Sequence, residues 1–337
     1  MDVSPLIWWL TIGIASAVLL FDVLVIGRRP HEPSRRELIV ALSIYIGLAV
    51  LFGIGIYVFA GHEYGTQFFA GWVTEYSLSV DNLFIFIIIM SKFAVPRQFQ
   101  QKALLIGIIL ALVFRGIFIA VGAAAIENFS WVFYLFGAFL IYTAVKLALE
   151  GGEDEDEYEE PAVVKFLERH IPLTSQWGDS ARMFIRENGK RVATPMFVVI
   201  CALGTTDLLF ALDSIPAIYG LTNEAYLVLT ANIFALMGLR QLYFLIGGLL
   251  ERLVYLSYGL AILLGFIGLK LVFHALHENE LPFINGGHHV EWAPEVSIEI
   301  SLSVIVGILA ITTILSLLKS RSMTEKERDD ATGPRSM

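Results

Sequence analysis

A single cysteine, Cys201, stands in 337 residues, which excludes an intramolecular disulfide and a thiolate metal cluster. Charge is scarce too: Asp, Glu, Lys and Arg make up 16% of the chain, against about 25% in ordinary soluble domains. Histidine is missing from the depth of every apolar run. No basic stretch precedes the first of these runs, and its only A-x-A, Ala15-Ser16-Ala17, falls inside it, so the run is expected to stay as a helix and not be removed as a signal peptide. What remains is apolar: 56% hydrophobic residues and a mean hydropathy of +0.70 describe a polytopic membrane protein. The net charge of −9 comes largely from one segment, "EGGEDEDEYEEP" at 150–161, which reads as a solvated linker and gives no reason to expect nucleic acid as a partner.

Apolar segments long enough to cross about 30 Å of hydrocarbon fall at 6–27, 38–60, 66–91, 103–125, 130–149, 195–220, 224–249, 254–276 and 297–318. The expected fold is therefore an all-α polytopic bundle of nine transmembrane helices. Five occupy 1–149 and four occupy 195–318, separated by an acidic insert (150–194) and followed by a tail (319–337). Lys and Arg alternate between the connections. Arg28, Arg29, Arg35 and Arg36 follow the first span, Lys92, Arg97 and Lys102 the third, six basic residues of the insert the fifth, and Arg252 the seventh, whereas "GHEYGT", "IENFS" and "LTNE" carry none. By the positive-inside rule this puts the N-terminus outside and both the insert and the C-terminus in the cytoplasm. Trp8, Trp9, Trp131 and Tyr134 read as interfacial anchors.

The residues most expensive in lipid repeat. Span three carries Thr74-Glu75, five residues, then Asp81-Asn82; span six carries Thr206-Asp207, five residues, then Asp213-Ser214. Each copy is followed by an arginine in the next span (Arg115, Arg240), a glutamate at its end (Glu127, Glu251) and a lysine one span on (Lys146, Lys270), with nineteen residues from glutamate to lysine in both. The two three-helix units, about 66–149 and 195–276, run in opposite directions, the pattern of inverted-repeat transporters with midplane sites. On a helix, Glu75 and Asn82 share a face, as do Asp207 and Ser214, while the two acids of each copy point about 120° apart. Pro216, just after Asp213, points to a local break that would let one ion meet both.

A network with Arg115 and Arg240 would account for some of these acids. With Asp22 on span one they outnumber the mid-span arginines, since Lys146 and Lys270 lie near span ends, and intramembrane ionisable residues are functional by default. Carboxylate, amide and hydroxyl oxygens suit a hard divalent cation such as Mg²⁺, Ca²⁺ or Mn²⁺, with protons competing for the same acids. His274, His277, His288 and His289 near the last span show no diagnostic ligand spacing and read as a solvated loop.

"EYSLSVDNLFIF", "RENGKRVATP", "FALDSIPAI", "ANIFALMGLRQLYF" and "YGLAILLGFIGLKL" resemble, in order and along nearly the whole chain, the TerC/Alx family of bacterial membrane proteins. The resemblance implies Mn²⁺ export from the cytoplasm, a link by name to tellurite resistance, and residence in the bacterial inner membrane. It carries Glu75, Asp81, Asn82, Asp207, Asp213 and Ser214 over as ion-site candidates and Asp22 as an accessory acid, to which the repeat adds Arg115, Arg240, Lys146 and Lys270 as the surrounding charge network. It implies transport, possible coupling to protons and no resident cofactor or enzymatic activity. The GxGD pattern of intramembrane aspartyl proteases is absent. The alternative is a non-transporting scaffold or metal-homeostasis factor that binds protein partners through the insert. One departure stands out: Gly204 occupies a position where the family often has a glutamate, on the helix face of Asp207.

Overall fold

The structure is a computed structural model that describes residues 3–28, 34–129, 131–150, 169, 171–174, 177, 182–187, 190–246, 255–279, 281–290 and 292–322. Most of the acidic run, Glu251 and the C-terminal tail lie outside the described residues, as do the side chains of Asp22 and Asp81.

Among the described residues there are ten α-helices: α1 (Pro5–Arg28), α2 (Arg35–Phe59), α3 (His62–Lys92), α4 (Arg97–Asn128), α5 (Val132–Glu150), α6 (Pro195–Tyr219), α7 (Ala225–Met237), α8 (Leu239–Ile246), α9 (Leu256–His277) and α10 (Ile298–Ser322). Among the described residues eight helical stretches are long and apolar enough to cross a membrane, α7 and α8 counting as one, and the described apolar part of α1 runs over Pro5–Val18. The spans expected from hydropathy are thus present as helices in an all-α polytopic bundle. Their start signals are ordinary ones. Ser34 and Glu37 form a capping box on α2, and Pro195 opens α6 at a position where its missing N–H is no loss.

Two features depart from the sequence reading. Span seven is interrupted at Gly238, which caps α7 before α8 continues; a Cβ there would stand 3.2 Å from Leu42 Cδ1, so the close approach of α2 favours glycine. The break expected near Asp213 is absent, because α6 runs as one helix from Pro195 through Pro216 to Tyr219. The proline ring removes a single bond near the helix end, and the buried Tyr219 hydroxyl ties that end to α4 by donating to Ile119 O at 2.7 Å.

At the centre α3 packs on α7 and α4 on α6, while α5 and α9 form the most intimate helix pair of the molecule. Gly137 and Gly268 make that pair possible: a Cβ on either would come within about 3 Å of the other's carbonyl oxygen, at 2.9 and 3.0 Å. Connections gather at two ends. Gln67 accepts from the Thr222 hydroxyl at 2.7 Å and Trp8 lies edge-on to Tyr226, which bring the loops free of Lys and Arg together. At the basic end an antiparallel hairpin, β1 (Phe184–Glu187) with β2 (Lys190–Ala193), leads into α6. Phe184 packs on Phe197 of α6 and Trp177 stacks on Phe99 of α4. The insert is therefore anchored to the bundle where α4 and α6 begin.

Candidate functional site

The short turn between α3 and α4 makes them antiparallel, and α4 runs alongside α6 in the same direction, with Gly107 against Leu203 and Gly122 against Tyr219. α3 and α6 are consequently antiparallel, and Gly71 faces Ile218. Counting along both helices from that contact puts Glu75 level with Ser214, Asn82 level with Asp207, and Arg115 of α4 between the two levels. The Thr-acid pair of each motif copy thus lies beside the Asn or Ser of the other.

Arg115 spans that gap and is fully buried, as are Glu75 and Asn232, with Asp207 1% exposed. Its Nε donates to Asp207 Oδ2 at 3.2 Å and its Nη2 to Asp207 Oδ1 at 3.1 Å, the two-pronged geometry that suits guanidinium and carboxylate. Its Nη1 donates to Asn232 Oδ1 of α7 at 3.0 Å and forms an ion pair with Glu75. Four helices meet on one guanidinium, and two buried carboxylates share its single positive charge. Around this knot the buried Thr74 Oγ1, Ser79 Oγ, Ser214 Oγ and Glu75 Oε2 have no hydrogen-bond partner. Those atoms are hard oxygen donors of the type a divalent cation takes.

Of the proposed ion-site residues, the structure gathers Glu75 and Asp207 on Arg115, with Asn82 and Ser214 buried at their levels. Asp213 belongs elsewhere. It is half-buried on another face of α6 and accepts a hydrogen bond from Thr143 of α5 at 3.0 Å, with the charge of Lys146 acting on it. Because α6 is unbroken, Asp207 and Asp213 stay on separate faces, and one ion cannot meet both in this arrangement. Asp22 lies on α1 and Asp81 on α3. Among the described residues no three His, Cys, Asp or Glu side chains come together as a metal-binding group.

The charge network divides in the same way. Arg115 is its hub; Lys270 donates to the buried Ser301 of α10 at 3.0 Å; Lys146 is exposed; and Arg240 is half-buried on α8. Gly204 does face α4, sharing the side of Asp207, but an ideal Cβ there lies 2.3 Å from Leu110 Cδ2, so Leu110 fills the room a glutamate would need. Asn232 and Thr143 were not singled out by the sequence reading. An asparagine within the apolar run "LTANIFALM" was a usable signal for the first; a lone threonine in an apolar helix gives none. At the end of α9 the histidines make local contacts, with His277 3.3 Å from Glu295 of the loop before α10 and His274 3.8 Å from Glu278. A cavity of about 520 Å³ opens beside it, lined by Glu63, Gln67, Lys270, His274, Glu295 and Glu299 among others.

The sequence pattern of the integral membrane protein TerC family matches residues 60–324. An uncharacterised membrane protein of Mycobacterium tuberculosis is 48% identical over 328 residues, covering 96% of this chain and 82% of its own length. An uncharacterised membrane protein of Myxococcus xanthus is 38% identical over 97% of this chain and 96% of its own. The Escherichia coli protein named "Putative membrane-bound redox modulator Alx" is 35% identical over 93% of this chain and 94% of its own. No solved structure matches.

Proposed function

Because this chain belongs to the TerC family of integral membrane proteins, we propose that it is a membrane transporter that exports divalent metal cations, Mn²⁺ foremost, through a carboxylate site at mid-membrane. One observation carries the reading: Glu75 and Asp207, distant in sequence, converge fully buried on one guanidinium, so the centre of the bundle holds more acid than base. Such a centre attracts a cation, and its oxygen chemistry selects a hard one. The packing of α3 on α7 and of α4 on α6 supports a reading as two oppositely oriented three-helix units, 66–149 and 195–276, exchanging roles around that centre. We read the basic end, with the insert and the tail, as cytoplasmic and the membrane as the bacterial inner one, from the Lys and Arg distribution. Asp81, Asp213 and Asp22 then serve as further acids along the ion's route, with Asp213 taking a separate position beside Thr143.

Purified protein in sealed liposomes should accumulate Mn²⁺ when a gradient is applied, and Glu75→Gln should abolish the flux at normal membrane levels. Parent-like flux in that variant would mean that the buried carboxylates only hold the helices together.

A further inference from the structure

Glu75 and Asp207 do not hold Arg115 alike. Both Asp207 oxygens are committed to it by hydrogen bonds, at 3.1 and 3.2 Å, and Asn232 fixes Nη1 at 3.0 Å. Glu75 pairs with the same Nη1 through Oε1 alone, and its Oε2 accepts no hydrogen bond. The guanidinium thus holds both oxygens of Asp207 and one of Glu75. Every unpartnered hydroxyl nearby lies on α3 or level with its acid: Thr74 precedes Glu75, Ser79 is one turn along, and Ser214 stands opposite. Among the described residues the atom without a partner on the Asp207 side is Asn232 Nδ2, a donor that no cation takes, whereas the other side offers a free carboxylate oxygen and three free hydroxyl oxygens.

We propose that Arg115 is a built-in competitor of the transported cation. In the empty carrier it closes on Glu75. The cation displaces it from Glu75 alone, binding there with Thr74 and Ser214, while Asp207 and Asn232 retain the guanidinium throughout. The inference rests on divalent-cation transport and divides the labour of the paired acids: Glu75 is a ligand, and Asp207 is a positioning residue acting through Arg115. A competitor of this kind keeps binding weak enough for release and leaves no bare carboxylate in the empty site as it reorients.

Equilibrium binding of Mn²⁺ to the purified full chain tests this. Asp207→Asn frees Arg115 to grip Glu75, so affinity should fall by about tenfold. Adding Arg115→Gln to that variant removes the competitor, and affinity should return to the parent value or beyond it. A direct ligand at Asp207 would behave otherwise: the double variant would stay as weak as Asp207→Asn, which overturns the proposal, as would unchanged affinity in Asp207→Asn. Should the double variant not fold, Arg115→Lys decides. A lysine cannot bridge both acids, so Mn²⁺ should bind tighter while net efflux slows relative to Mn²⁺–Mn²⁺ exchange across the liposome membrane; parent-like affinity and ratio would refute the competitor. The parent is measured first, and a parent that neither binds nor moves Mn²⁺ fails the transport reading itself and the inference with it.

Discussion

Asp207 and Asp213 stand six residues apart on one uninterrupted helix, yet they face different surroundings. Asp207 points to α4, where it is 1% exposed and held by a guanidinium; Asp213 points to α5, half-buried, with one threonine hydroxyl for a partner. The same side chain is one pole of a buried ion pair in one case and, in the other, a half-buried acceptor for a threonine hydroxyl within the field of Lys146. Helical rotation makes the difference, since six residues turn the chain about 120° from its starting face. The comparison shows that a repeated motif need not build two equal sites: rotation sends one acid to the middle of the bundle and the other to its flank.

Four substitutions would break or sharpen that contrast. The largest effect is expected at the hub. Arg115→Met strands two buried carboxylates, which should cost about 3–5 kcal/mol and collapse the yield of folded protein in detergent, measured by size exclusion after heating. Combining it with Glu75→Gln and Asp207→Asn should restore much of that yield without restoring transport, since the stranded charges are gone. Asn232→Leu comes next: it removes one hydrogen bond to a charged group, about 1.5–3 kcal/mol, and should lower thermal stability while leaving the Asp213 side untouched. On the flank, Gly268→Leu forces α5 and α9 apart where a Cβ already meets Gly137 O at 3.0 Å; overpacking of about 1–3 kcal/mol should appear as a lower melting temperature. The smallest change is Thr143→Val, which takes one hydrogen bond from Asp213, about 1 kcal/mol. Its stability should barely move, and a shift in Mn²⁺ flux would show that the flank aspartate takes part in transport.

Much of this architecture was legible in the chain. The spans follow from hydropathy, because a helix is the structure that satisfies every backbone polar group within a single segment in lipid. The functional candidates follow from the expense of burying charge, which made Glu75, Asp207 and Arg115 conspicuous among apolar neighbours. The hairpin before α6 was not anticipated, although Asn-Gly between β1 and β2 is the pair favoured in two-residue hairpin connections. Pro216 misled in the other direction. A proline near the last turn of a helix disturbs little, and packing of that turn against α4 holds it straight.

By itself, then, the sequence determined that this is a helical membrane protein, where its chain crosses, and which few side chains are too polar to be there without cause. Those properties are local: they depend on transfer free energies and helical periodicity summed along one segment. Which arginine would meet which acids was decided only by the tertiary structure. One arginine follows each motif copy in the next span, and periodicity cannot say that Arg115 sits midway between Glu75 and Asp207 while Arg240 lies beyond the Gly238 interruption. That choice depends on the register of α4 against α6 and of α3 against α6, set by close contacts at Gly107, Gly122 and Gly71 between segments more than ninety residues apart. Only the packed bundle makes two carboxylates share one charge.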